Sequence, residues 1–118
     1  MQSYRDLIAW QKAMDLVKMV YRASREWPKE ERYGLTNQAR RAAVSVPANV
    51  AEGKGRSGSK EFLHHLSIAH GSLCEVETHL TIARRLSYLD DAALQALDRQ
   101  SAEVGRLLQG LIRSLRSV

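Results

Sequence analysis

The sequence predicts an all-α protein, an antiparallel up-down four-helix bundle, on three observations. Apolar residues recur at steps of three and four through four separate segments, the spacing that places them along one face of a helix. Only two prolines occur in 118 residues, too few for a turn-rich β fold. The breaks between the periodic segments, at Pro28 to Gly34, Gly53 to Gly58 and Ser87 to Asp91, are short, as antiparallel neighbours require. Residues 1–118 are long enough to bury one core and are read as a single domain.

The first helix is expected from about Tyr4 to about Glu26, with Leu7, Trp10, Met14, Val17 and Tyr21 as its inward stripe. Trp27-Pro28 ends it, because the residue before a proline is pushed out of the α region. Leu35, Ala39, Ala42, Val46 and Val50 mark the second helix, whose small core residues let a neighbour approach closely. Pro47 lies inside it, removes the hydrogen bond to Ala43 and predicts a kink. This helix is expected to stop at Gly53.

Ser57 or Ser59 is expected to cap the third helix, with Glu61 at the positive end of its dipole. Phe62, Leu66, Ala69, Leu73, Val76, Leu80 and Ala83 then alternate strictly. Asp90 or Asp91 caps the fourth helix, whose stripe runs through Leu94, Leu97, Ser101, Val104, Leu108, Leu111, Leu115 and Val118. Ile8, Leu16, Met19, Val20, Leu63, Ile68, Leu107 and Ile112 stand off these stripes. A small bundle cannot hide them all, which points to self-association through a surplus helix face.

Net charge is +5 and unevenly placed: residues 1–60 hold 12 Lys/Arg against 6 Asp/Glu. A basic half suits an anionic partner. The N-terminus lacks a signal pattern and no apolar run reaches membrane-spanning length, so a cytoplasmic protein without a membrane partner is expected. Cys74 is the single cysteine, and it is expected to be buried in apolar surroundings, as a small filler in a reducing cytoplasm.

Catalytic machinery is not recognisable: no nucleophile elbow, phosphate-binding Walker loop, dinucleotide fingerprint or zinc-ligand spacing occurs. Glu61 and His64 form one Glu-x-x-His, but a di-iron bundle needs a second. His70 with Cys74 and Glu75 with His79 are i,i+4 pairs lying away from the core stripe, and the histidines are read as surface residues. Neither a metal nor a cofactor is expected, and the protein is read as a non-enzyme.

The second helix carries the most pointed polar pattern. Gln38, Arg41, Ser45, Asn49 and Glu52 repeat at steps of three and four. Around them Arg40, Arg41, Lys54, Arg56 and Lys60 face only Glu52, giving residues 40–60 a charge of +4. Such a cationic ridge neutralises phosphates without reading bases, and no aromatic residue is interleaved for stacking. The loop Gly53–Gly58, opening onto the third helix beside Lys60, is a weaker phosphate candidate. The alternative is a protein–protein adaptor, with Gln38, Asn49, Glu52 and Arg56 forming an oligomer or partner interface and no nucleic acid bound.

The run Leu35–Gly53, continued by Arg56, Lys60–Phe62 and Ile68–Glu77 and preceded by Leu7–Ala13, resembles the four-helix-bundle family of 23S rRNA intervening-sequence proteins. The resemblance spans nearly the whole chain. It implies assembly into a ring, commonly a pentamer. It also implies kinship with the accessory variability proteins of diversity-generating retroelements, which bind nucleic acid and a reverse transcriptase. By that analogy Gln38, Arg41, Asn49, Glu52 and Arg56 are binding positions, and Gly71-Ser72 lets helices pack closely opposite them. The expected function is a non-enzymatic, oligomeric nucleic-acid-binding or scaffolding protein. Its expected partners are further copies of itself, structured RNA or DNA, and a reverse transcriptase or another RNA-binding protein.

Overall fold

The computed structural model describes residues 3–116, and among them four α-helices and no strand occur. Helix α1 spans Ile8–Ser24, α2 Leu35–Gly55, α3 Ser59–Arg85 and α4 Asp91–Arg116, with 3₁₀ turns at Tyr4–Asp6 and Lys29–Glu31. Each helix packs on its neighbours in sequence and α1 also packs on α4, whereas the diagonal pairs have no Cα atoms within 8 Å. On α2 and α3, Ser45 meets Ser72, Asn49 meets His65, and Gly53 meets Phe62. Numbers rise along one helix as they fall along the other, so the two are antiparallel. Leu73 against Gly105 and Arg84 against Asp91 give α3 and α4 the same relation. The bundle measures 46 × 25 × 20 Å.

Helix α1 is shorter than the sequence suggested, and its inward face is a different one. Ser3 accepts the Arg5 N–H at 3.1 Å and caps a separate 3₁₀ turn, after which Leu7 is extended. At the far end the Trp27 N–H bonds the Ser24 carbonyl at 3.1 Å, a tightened turn ahead of Pro28. Of the expected stripe Leu7, just ahead of the helix, is buried, but Met14 and Tyr21 are exposed and Trp10 and Val17 only half-buried, while Ala9, Ala13, Leu16 and Val20 are buried instead. Two overlapping stripes share the helical period, and size misled the choice between them. Ala9 and Ala13 are small residues on the face that α1 turns to α2 and α4, where the helices pack.

In α2 all five expected core residues are buried, together with Ala43 and Pro47, and the helix is continuous through Pro47. It runs to Gly55, two residues past the expected stop at Gly53. Gly53 is a contact point: a Cβ there would lie 2.7 Å from His65 Cβ and 3.1 Å from Phe62 Cδ1. The stop falls at Arg56, which is extended, and Gly58 at φ +105° makes the reversal only glycine adopts freely.

Neither Ser57 nor Ser59 caps α3; its cap position is Gly58, with no side-chain cap bond. The expected α3 stripe is buried apart from half-buried Phe62. Ser72 is buried against α2, but Gly71 is exposed with open space around it and takes no part in close packing within the chain. In α4 Asp90 is the cap, its Oδ1 accepting the Ala93 N–H at 2.8 Å. Leu97, Ser101, Val104 and Leu108 are buried as expected, but Ile112 takes the last core place while Leu94, Leu111 and Leu115 are half-buried. Ser101 belongs in the core because its hydroxyl donates to Glu77 across the α3–α4 seam. Val118, placed on the last stripe, lies outside the described residues.

Candidate functional site

The polar stripe of α2 lies along its seam with α3, and its middle is spent on joining the two helices. The Ser45 and Ser72 hydroxyls meet at 2.8 Å. Asn49 Nδ2 donates to the Ser45 carbonyl at 2.9 Å and to its hydroxyl at 3.0 Å. The Asn49 Oδ1 is thereby left to accept from His65 Nδ1, at 3.1 Å. The other ring nitrogen of His65 stands 3.9 Å from Glu52, whose carboxylate accepts from Arg56 at 2.7 Å. The Arg56 hydrogen bond, and after it the charge interaction with His65, holds the Glu52 carboxyl below its ordinary pKa.

His65 is buried, at 8% exposure, which corrects its reading as a surface histidine, and Cys74, expected to be buried, is exposed. Spacing within one helix does not disclose the His65 contact, because its partner Asn49 is on another helix. Ser72 was legible as a packing residue but not as a hydrogen-bond partner. Among the described residues no group of three His, Cys, Asp or Glu converges as metal ligands. No described helix is long and apolar enough to cross a membrane.

The five cations expected to form one ridge divide between two sides of α2. Arg56 lies on the α3 side, and Arg41 lines clefts on both sides, standing beside Gln38 and Glu75 in an open one of about 320 Å³ against α3. Arg40 points to α1 instead. Its Nε donates to the Ser24 hydroxyl at 2.8 Å, its Nη2 to the Tyr21 carbonyl at 3.4 Å, and its guanidinium lies 4.5 Å over the Tyr21 ring. Lys54 lies near Ser3 and Tyr4, also on the α1 side, and Lys60 is exposed in the first turn of α3. The split follows from the 100° advance per helical residue, which sends neighbours in sequence to different faces.

A more concentrated basic site stands where α1 ends and α2 begins. A cleft of about 370 Å³ is lined there by Arg25, Lys29, Arg32, Arg40 and Arg41, with Tyr21, Trp27, Thr36 and Asn37 among its other walls and no carboxylate. The four ion pairs among the described residues all lie elsewhere. Glu31, next to Arg32 in sequence, is committed elsewhere: Oε1 accepts the Leu35 N–H at 3.0 Å and Oε2 the Tyr88 hydroxyl at 2.8 Å. Those two bonds, in that order, lower its pKa. Arg25, Lys29 and Arg32 were missed because the sequence shows them among Glu26, Glu30 and Glu31 as a mixed run. The usable signal was the Trp-Pro break, which folds that run back onto the start of α2.

The profile of the 23S rRNA-intervening sequence proteins matches residues 5–110. The chain belongs to the 23S rRNA-intervening sequence protein family. A solved structure, from Bacteroides thetaiotaomicron and described as a protein of unknown function from the S23 ribosomal protein family, superposes with a TM-score of 0.80. It is 20% identical, and the match covers 89% of this chain and 98% of the other. At that identity the likeness speaks for the fold, which this intervening-sequence family member shares along its length. No functionally curated protein matches the sequence.

Proposed function

We propose that this protein is a non-enzymatic nucleic-acid-binding protein that grips structured RNA or an RNA–protein complex by its phosphates. The observation that carries the reading is the cleft where α1 meets α2: five cations, none ion-paired, and no carboxylate in the wall. Unpaired guanidinium groups retain the N–H forks that match phosphate oxygens. Arg41 also lines the α2–α3 cleft, so the positive surface continues round α2. Ser45, Asn49 and Glu52, by contrast, make their bonds within one chain, which weighs against their serving chiefly as an adaptor surface.

The reading includes a homo-oligomer, with a pentameric ring as the expected form. A reverse transcriptase or another RNA-binding protein is the expected protein partner. Repetition of the cleft around a ring multiplies weak phosphate contacts by avidity. Fluorescence anisotropy with an RNA hairpin, duplex DNA and single-stranded DNA tests this at ~50 and ~200 mM salt. Affinity is expected to fall steeply with salt through counterion release. Arg41→Glu with Arg32→Glu should weaken all binding at unchanged helix content, a cleaner pair than one including Arg40, which also anchors α2 to α1. No binding at the lower salt by folded, assembled protein overturns the reading in favour of the adaptor.

A further inference from the structure

We infer that the cleft between the end of α1 and the start of α2 is built for a phosphate monoester, the doubly charged terminal group of a nucleotide. The inference deepens the nucleic-acid reading above and rests on it where the nucleotide ends a strand. Residues 21–41 hold six cations against three acids, Glu26, Glu30 and Glu31. None of the acids lines the cleft, and Glu31 is committed to Leu35 and Tyr88. Cations brought together without a carboxylate repel one another, and an anion seated among them removes that repulsion.

Three further features suit a phosphate. Arg40 is held by Ser24 and the Tyr21 ring, so its remaining N–H donors are already oriented. Thr36 and Asn37, in the wall, belong to the opening turn of α2. A helix leaves its first amide N–H groups without acceptors and carries a positive partial charge there. Of this opening turn, Leu35 gives its N–H to Glu31 and Gln38 to the Gly34 carbonyl, so Thr36 and Asn37 supply the donors that remain. The volume, about 370 Å³, is that of a small-ligand site and not of a tract.

A terminal group fits better than a passing backbone. A monoester carries about −1.5 to −2 charge and three strong acceptor oxygens at one point, which matches cations converging on one cleft. A continuing chain of diesters bears only one charge per phosphate and spreads those charges along its length. Free nucleotides and 5′-phosphorylated strand ends present the same group.

The test measures binding of the full chain to adenosine monophosphate by calorimetry. In parallel, anisotropy compares one RNA oligonucleotide with a 5′-phosphate and with a 5′-hydroxyl. The 5′-phosphate form is expected to bind at least fivefold tighter. That preference should vanish in Arg25→Glu/Arg32→Glu and persist in Arg99→Glu on the exposed face of α4, with all variants checked for helix content. Binding of the free nucleotide alone, lost in the same double variant, supports the monoester site while removing the nucleic-acid reading. Equal affinity for the two oligonucleotides with no nucleotide binding overturns the monoester site and leaves backbone binding standing. A preference that survives the double variant overturns the placement.

Discussion

His65 and Asn49 meet across the α2–α3 seam, and neither side chain alone accounts for the contact. Asn49 needs donors and acceptors on two sides of its amide, and Ser45 and His65 supply them. Removing it leaves the nearly buried Nδ1 of His65 without its acceptor, the costly half of a hydrogen-bond deletion. Asn49→Ala is therefore expected to cost about 1–3 kcal/mol, read as a lower urea midpoint at unchanged slope. A loss below about 0.5 kcal/mol, the level of an ordinary surface change, contradicts the network. Glu31 gives a pH prediction. Its folded-state pKa is lowered by the Leu35 N–H and then by the Tyr88 hydroxyl, so the folded chain favours the ionised form. The stabilisation is complete above the unfolded-state carboxylate pKa and fades as pH falls through the lowered folded value. Glu31→Gln should accordingly be less stable than the parent near neutrality, and the gap between their urea midpoints should narrow as the medium becomes acidic. A gap independent of pH contradicts the ionised pairing.

Two glycines that look alike in sequence sit in opposite settings within their helices. A methyl group at Gly53 would press into the Cβ of His65, which is no flexible tip, so Gly53→Ala must part α2 from α3. Overpacking of that kind costs about 1–3 kcal/mol. At Gly71 the added methyl meets nothing within 4 Å, and only the helical preference for alanine remains. Gly71→Ala should therefore raise stability, by up to about 1 kcal/mol. Thermal melts of the two variants check this, and shifts of the same sign contradict the assigned contacts. These positions also show what the sequence discloses. Periodicity identified four helices and the inward faces of α2 and α3, where one apolar stripe stands out. It chose wrongly in α1 beyond Leu7, because Trp10-Met14-Val17 and Ala9-Ala13-Leu16 share a period and only the neighbour's shape decides between them. It stopped α2 at Gly53, because a helix-ending glycine and a close-contact glycine are the same letter. Of the candidate site, Arg40 and Arg41 were legible as charge, but the Tyr21 and Ser24 contacts that hold Arg40 come from another helix.

At the scale of the whole molecule, one folded chain leaves large apolar side chains facing water. Ile8 is 57% exposed, and beside it Leu7, Leu107 and Leu111 line a groove of about 380 Å³ between α1 and α4, flanked by Asp6 and Arg106. Ile8 was expected off the core stripe, and it lies outside the core that buries Leu16 and Val20. A solvated isoleucine beside a mostly apolar groove gains about 1.5–3 kcal/mol if a second chain covers it fully. Gains of that size, repeated at every interface of a closed ring, favour assembly over a free chain. Light scattering is expected to return a multiple of the 13.3 kDa chain mass. Ile8→Lys should shift that mass toward the single chain while leaving helix content intact, because the residue contributes little to the buried core. If assembly tracks the groove, the same variant should also bind nucleic acid more weakly and with a shallower salt dependence, since fewer clefts act together. A parent protein that stays a single chain at high concentration removes the ring. An assembled Ile8→Lys variant moves its contacts to the other exposed apolar residues, Val44, Ile68 and Ile82 on α2 and α3.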